Sequence, residues 1–154
     1  MADVTTQDPA GIATRYGDEP SALIEILHDL QAEAGAISEG DLRIIAERLN
    51  LSRAEVHGVM SFYHDFRRDP AGATVIKVCR AEACQAMGAA RLVTEICARY
   101  GVDLGATSDA GITVEPVYCL GNCALSPAAT VDGELVGRAD VARIDTLVAR
   151  ETAS

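Results

Sequence analysis

Apolar residues at helical spacing predict three short helices between residues 21 and 70. Within each predicted helix the apolar residues recur every three or four positions, which places them on one face. The three faces consist of Leu23, Ile26, Leu27 and Leu30, of Leu42, Ile45, Ala46 and Leu49, and of Val56, Val59, Met60 and Tyr63. Short helices with brief connections bury such faces against one another, so we expect a helical unit here.

Capping signals support the same three helices. Ser21 has the position of an N-cap for the first helix, and Gly35 is placed to end it. The second and third helices are each preceded by a serine with a carboxylate three residues later, which is the spacing of a capping box. These pairs are Ser38 with Asp41 and Ser52 with Glu55. The polar segment before them, residues 1–20, contains two prolines and two glycines and predicts a mobile or loosely docked arm.

The hydrophobic period changes after residue 72, where strands and helices begin to alternate. Short runs rich in β-branched residues predict strands, Asp132-Gly133 is a strong hairpin turn signal, and two stretches have a helical period. The strands are expected at 74–78, 112–118, 129–132 and 135–137, and the helices at 86–100 and 141–148. This order, β-α-β-β-α, is that of a thioredoxin-like domain.

The sequence therefore predicts an α+β protein made of an N-terminal three-helix unit and a thioredoxin-like α/β domain. The expected boundaries are a polar arm over 1–20, the helical unit over 21–70 and the thioredoxin-like domain over 73–151.

Four of the five cysteines form two tight pairs, Cys79 with Cys84 and Cys119 with Cys123. Each pair follows a predicted strand, where loops from neighbouring strands can converge. Four thiolates are the full ligand set of a [2Fe–2S] cluster, in which each iron takes two protein sulfurs. We expect Gly121 and Asn122 to take positive φ, so that the turn between the second pair aims backbone N–H groups at the sulfurs.

Two other uses of these cysteines compete with a cluster. Structural zinc is bound by the same four thiolates, although zinc sites favour a C-x₂-C spacing. A dithiol catalyst of the thioredoxin type requires C-x-x-C, which neither pair has. Cys97 lies within a predicted helix and is interpreted as a small buried hydrophobe. The three histidines, His28, His57 and His64, are scattered over the helical unit, and we do not expect them to bind metal.

Charge and hydropathy exclude several partners. The net charge of −10 repels a phosphate backbone, so we expect no nucleic-acid partner. Residues 44–56 resemble a helix-turn-helix, but their charge is balanced and their flank is acidic, which favours ordinary helix packing over DNA binding. No apolar run reaches the ~20 residues needed to span a bilayer. The polar first residues and the odd number of cysteines favour a cytoplasmic location.

The cysteine motifs resemble those of the thioredoxin-like [2Fe–2S] ferredoxin family, which includes the 24-kDa-type subunit of respiratory NADH dehydrogenase. The resemblance runs from about residue 23 to residue 150. It covers 51–59 and 61–66 in the helical unit, and Cys79, Cys84 and 118–124 in the cluster motif. It implies that Cys79, Cys84, Cys119 and Cys123 hold the cluster and that no residue of this chain is catalytic.

Within the family, residues 79–88, 124–128 and 132–135 look most like the gamma subunit of the soluble NAD-dependent formate dehydrogenase. This resemblance implies one-electron transfer in a complex that oxidises formate and reduces NAD⁺. The molybdenum cofactor, FMN and NAD would then reside on partner subunits, namely a catalytic subunit and a flavin- and NAD-binding subunit. The equivalent subunits of NADH:quinone oxidoreductase and of NAD-reducing hydrogenases are the alternatives. The stretch 62–68 offers aromatic residues and an arginine pair for docking, or else is the end of a packed helix.

Overall fold

The structure, a computed structural model, describes residues 8–151, and the chain divides into two compact units between Pro70 and Ala71. Each unit has a hydrophobic core of its own. The first unit is helical, and the second contains a five-stranded sheet with helices. The predicted α+β class is therefore confirmed. None of the helices in the described range is long and apolar enough to cross a membrane.

The helical unit contains the three predicted helices and one more. The helices are α1 (Pro9–Arg15), α2 (Leu23–Ala34), α3 (Glu39–Arg48) and α4 (Arg53–Phe62). Of the predicted apolar faces, all but Val59 and Tyr63 are buried; Val59 is partly buried, and Tyr63 lies just beyond α4 and is exposed.

The helix α1 corrects the expectation of a loosely docked arm. Asp8 caps α1 by accepting a hydrogen bond from the Gly11 backbone N–H at 2.8 Å, and Pro9 occupies the first helical position. Ile12 and Ala13 are 3% and 0% exposed and belong to the core of the unit. A single apolar pair in a polar segment is too short to show a period, yet it is enough to dock one turn of helix. Residues 1–7 of the expected arm lie outside the described residues.

The ends of the other helices follow the capping signals with one exception. Ser38 and Asp41 form a reciprocal capping box, and so do Ser52 and Glu55. Gly35 ends α2 with φ at 78°, a left-handed conformation that glycine adopts without strain. Ser21 is not the cap of α2, because Pro20–Ala22 forms a 3-10 turn and Ala22, which has no polar side chain, takes the capping position.

The second unit is built on a mixed sheet. Its strands are β1 (Thr74–Cys79), β2 (Ala106–Thr107), β3 (Ile112–Val117), β4 (Ala129–Val131) and β5 (Glu134–Val136), in the order β2-β3-β1-β4-β5. Its helices are α5 (Glu82–Ala86), α6 (Ala89–Tyr100) and α7 (Val141–Glu151). Only the central pair, β1 with β3, is parallel; the other neighbours are antiparallel. The parallel pair brings the C-terminal ends of β1 and β3 to one edge, with Cys79 opposite Val117.

Two details of this unit differ from the predicted elements. The helix expected over 86–100 is two helices, because Gly88 lies between them with φ at 92°. The exposed two-residue strand β2 was not predicted, since it is too short to show an alternation. The predicted hairpin is confirmed: Asp132 and Gly133 connect β4 to β5 with φ at 46° and 87°.

Candidate metal centre

The two cysteine pairs lie on loops that leave the same edge of the sheet. Cys79 is the last residue of β1, and Cys84 lies in α5. Cys119 follows β3 after one intervening residue, and Cys123 begins a 3-10 turn over Cys123–Leu125. The β1 and β3 loops start side by side, and the Arg80 backbone N–H donates to the Val117 carbonyl at 2.7 Å.

Cys79 and Cys84 form a buried pair. Both are 2% exposed and pack in a small apolar cluster with Ala89 and Ala128. Burial raises the pKa of the Cys79 thiol, and the neighbouring Cys84 adds to this, against backbone hydrogen bonds from Ala81 and Leu120. Leu120 belongs to the loop of the second pair, so its amide directly joins the two cysteine loops.

Cys84 receives more hydrogen bonds than Cys79. Burial acts to raise the pKa of the Cys84 thiol, but hydrogen bonds from the Ser126 hydroxyl, the Ala128 backbone and Cys79 lower it overall. The Cys84 Sγ lies 3.6 Å from the Ser126 Oγ. These donors favour the thiolate, which is the form of cysteine that binds a metal.

Cys119 and Cys123 form an exposed pair on a sharp turn. Gly121 takes the predicted positive φ, at 71°, and its backbone N–H donates to the Cys119 Sγ at 3.4 Å. The second positive φ belongs to Cys119, at 137°, whereas Asn122 has φ at −109°. The expectation for Asn122 was wrong because the chain there turns into the 3-10 helix, whose first hydrogen bond is accepted by the Asn122 carbonyl.

This arrangement fits a cofactor that is bound by pairs of sulfurs. Within residues 8–151, no group of three or more His, Cys, Asp or Glu side chains converges on one point as the ligands of a single ion would. A structural zinc requires four such ligands around one ion, whereas each iron of a [2Fe–2S] cluster takes only two. The four thiols and the N–H groups aimed at them are therefore compatible with the cluster.

The remaining cysteine and two of the histidines have other neighbours. Cys97 lies on α6 and packs against the core of the sheet, not in the cluster around Cys79 and Cys84. Burial, with a smaller effect of Asp103, raises the pKa of the Cys97 thiol. His28 stacks against Phe66, and His57 lies 2.7 Å from Arg68 and 3.7 Å from Glu39.

The aromatic stretch 62–68 is partly packed and partly exposed. Phe66 is buried against His28, as expected for the end of a packed helix. Phe62 and Tyr63 are 72% and 42% exposed, and their rings meet edge to face at 5.1 Å. Both interpretations of this stretch therefore hold, each for different residues.

Ser126 is the polar side chain that the sequence interpretation missed. It is buried, and its hydroxyl lies between the two cysteine pairs. Only its position three residues after Cys123 could have drawn attention to it. The Ser126-Pro127 peptide bond is cis.

Comparison with known proteins gives a family and several relatives. The profile of the family described as thioredoxin-like [2Fe-2S] ferredoxin matches residues 10–151. One subunit of the NADH-quinone oxidoreductase of Pseudomonas aeruginosa is 37% identical over 123 residues, which cover 79% of this chain and 74% of that protein. The subunit with the same name in Mycobacterium tuberculosis is 34% identical over 82% of this chain and 51% of its own length.

Two further similarities concern hydrogenases. The NADP-reducing hydrogenase subunit HndA of Solidesulfovibrio fructosivorans is 29% identical over 82% of this chain and 75% of that protein. The crystal structure of an NAD⁺-reducing [NiFe]-hydrogenase in the air-oxidized state matches with a TM-score of 0.67 and 28% identity. That match covers 86% of this chain and 23% of the hydrogenase chain, so this chain corresponds to a minor part of it.

Proposed function

Because the chain belongs to the thioredoxin-like [2Fe–2S] ferredoxin family, we propose that it is the electron-transfer subunit of an NAD-dependent oxidoreductase complex. Cys79, Cys84, Cys119 and Cys123 are the proposed ligands. The observation that carries the ligand set is the hydrogen bond from the Leu120 backbone to Cys79, which joins the two cysteine loops. When bound, the cluster would accept and release one electron at a time.

The residues around the cysteines protect one side of the site and present the other. Cys79 and Cys84 are shielded from water in their apolar cluster, whereas Cys119 and Cys123 are exposed. Next to the exposed pair, Tyr118 and Leu125 are large and accessible, as anchors at protein interfaces are. We propose that this face meets a subunit that binds flavin and NAD. No side chain of this chain is expected to perform acid–base or nucleophilic chemistry.

We further propose that the complex is a cytoplasmic NAD-dependent formate dehydrogenase. The support comes from residues 79–88, 124–128 and 132–135, which resemble its gamma subunit more than the equivalent subunits of sister complexes. Formate would be oxidised on a molybdenum-containing catalytic subunit and NAD⁺ reduced at FMN on another. This assignment is a choice among related complexes that share the same kind of cluster subunit.

A second candidate is the corresponding subunit of NADH:quinone oxidoreductase or of an NAD- or NADP-reducing hydrogenase. Relatives at 37% and 29% identity carry those names. The test is to purify the native complex through this chain and identify the subunits that accompany it. A molybdenum subunit with formate-dependent NAD⁺ reduction is the expected result. A nickel subunit would indicate a hydrogenase, and membrane-embedded subunits would indicate the quinone reductase.

A further inference from the structure

The Ser126 hydroxyl connects the two cysteine loops from a buried position. Ser126 is 8% exposed. Its Oγ lies 3.6 Å from the Sγ of Cys84 and donates a hydrogen bond to the Cys123 carbonyl at 2.7 Å. One hydroxyl therefore contacts a proposed ligand of the buried pair and the backbone of a proposed ligand of the exposed pair.

Metal binding changes which of these groups can donate. In the free thiol, the Cys84 Sγ–H is the donor and the Ser126 Oγ accepts. Cysteine binds metal as the thiolate, which has no proton to donate. Iron at Cys84 therefore removes this donor and leaves a negatively charged acceptor beside a hydroxyl that can rotate.

The hydroxyl can leave the Cys123 carbonyl at little cost. The same carbonyl also accepts the Ser126 backbone N–H at 3.3 Å, so it keeps a partner when the hydroxyl turns away. A hydrogen bond to an anionic acceptor is stronger than one to a neutral carbonyl. Both effects favour rotation of the hydroxyl toward Cys84.

We propose that, in the cluster-loaded protein, the Ser126 hydroxyl donates a hydrogen bond to the Cys84 Sγ and thereby raises the reduction potential of the cluster. The inference rests on the proposed function, because it requires Cys84 to be a ligand. The added electron increases the negative charge on the sulfurs, so a donor stabilises the reduced state more than the oxidised state. The Ala128 backbone also donates to Cys84, but Ser126 supplies a side-chain donor that substitution can remove.

The test is the midpoint potential of the purified full-length chain, measured by an EPR-monitored redox titration. Ser126→Ala is expected to keep its cluster and to shift the potential to a more negative value. We expect a change on the order of threefold to tenfold in the reduction equilibrium, which is about 30 to 60 mV for one electron. Ser126 has φ −65° and ψ 151°, an extended conformation that alanine also adopts. Ser126→Thr keeps the hydroxyl and should remain closer to the wild-type potential.

Thr113→Val is the matched control. Thr113 is also a buried hydroxyl of this unit, 4% exposed, and it bonds to the Gly72 backbone N–H and to Thr107. It lies near the start of β3, at the end of the strand away from the cysteine loops. This variant should lose stability without a change in potential, which separates a specific hydrogen bond from general loosening of the unit.

A second measurement does not depend on the potential. The iron–cysteine stretching bands in the resonance Raman spectrum should shift in heavy water, and Ser126→Ala should lose part of that shift. An unchanged potential and an unchanged isotope shift in a cluster-loaded Ser126→Ala protein would overturn the inference and leave the proposed function intact. A wild-type chain without a [2Fe–2S] cluster would overturn the proposed function itself. If Ser126→Ala and Ser126→Gly both fail to assemble a cluster, Ser126 is an assembly residue and the inference is wrong.

Discussion

The four proposed ligand cysteines occupy two different environments. Cys79 and Cys84 are buried among alanines and accept backbone hydrogen bonds, whereas Cys119 and Cys123 lie on an exposed turn. Cys119 has φ at 137°, which is unusual for a residue with a side chain and costs free energy unless the surroundings compensate. The turn therefore holds an unfavourable backbone conformation at the residue whose sulfur it positions.

Substitution of the cysteines separates ligands from the bystander. Cys79→Ser, Cys84→Ser, Cys119→Ser and Cys123→Ser should each abolish or strongly perturb the visible absorption and the EPR signal of the reduced protein. Cys97→Ser should keep both, with a loss of about 1 kcal/mol in the free energy of unfolding because a partly buried thiol becomes a hydroxyl. Loss of the signal in Cys97→Ser, with an intact signal in one of the other four, would show that the ligand assignment is wrong.

The sequence was sufficient to nominate these cysteines and insufficient to find Ser126. Cysteine spacing is a local signal that survives without any knowledge of the fold. The contact between Ser126 and Cys84 joins residues that are 42 positions apart, and it exists only because the two loops meet at one edge of the sheet. The donors from Ala81, Leu120 and Ala128 are backbone groups, which side-chain identity does not reveal.

The helical elements depend on their first turns. In the capping box of α3, the Ser38 backbone N–H donates to Asp41 at 2.8 Å, and the Asp41 backbone N–H donates to the Ser38 hydroxyl at 3.2 Å. The box at α4 is built in the same way, and the hydrogen bonds from Ser52 lower the pKa of Glu55. Each box satisfies backbone donors that no residue within the helix can pair.

Removal of one cap should be measurable. Ser38→Ala leaves the Asp41 N–H without its acceptor and should lower the free energy of unfolding by about 1 kcal/mol. Urea unfolding followed by far-UV circular dichroism measures the change. Ser61→Ala is the control, because the Ser61 hydroxyl is exposed and only donates to the Gly58 carbonyl within the same helix. Equal stability of the two variants would contradict the role assigned to the cap.

At the scale of elements, the signals that could be predicted are those that repeat or have strict chemistry. The apolar faces of α2 to α4, the two capping boxes and the Asp132-Gly133 turn belong to this group. The helix α1 and the strand β2 do not, because seven and two residues are too few to establish a period. Gly88 has nothing in its local sequence that distinguishes a break between helices from a tolerated glycine inside one.

At the scale of the whole molecule, two units with separate cores assign different tasks to the two halves of the chain. The second unit holds all four proposed ligands and the core on which their loops rest. The helical unit contributes none of them, so its own surface requires another explanation. Its most accessible large apolar side chain is Phe62 at the end of α4. We therefore predict that the helical unit docks on the flavin-bearing subunit.

Binding of the full-length chain to that subunit tests the docking role. Phe62→Ala should weaken binding on the order of tenfold, because aromatic anchors carry much of the energy of an interface. Ile44→Ala, at a less exposed apolar position on α3, is the control and should bind as the wild type does. Identical affinities for all three proteins would argue against docking through Phe62. The chain alone should oxidise neither formate nor NADH.

The metal and sulfide content of the purified full-length chain tests the central claim most directly. The proposed cluster requires two irons and two inorganic sulfides per chain, with no zinc, and a one-electron EPR signal after reduction. That result is the one that the four thiols on two joined loops predict. One zinc per chain and no sulfide would contradict it, and would make this domain a structural zinc module instead of an electron carrier.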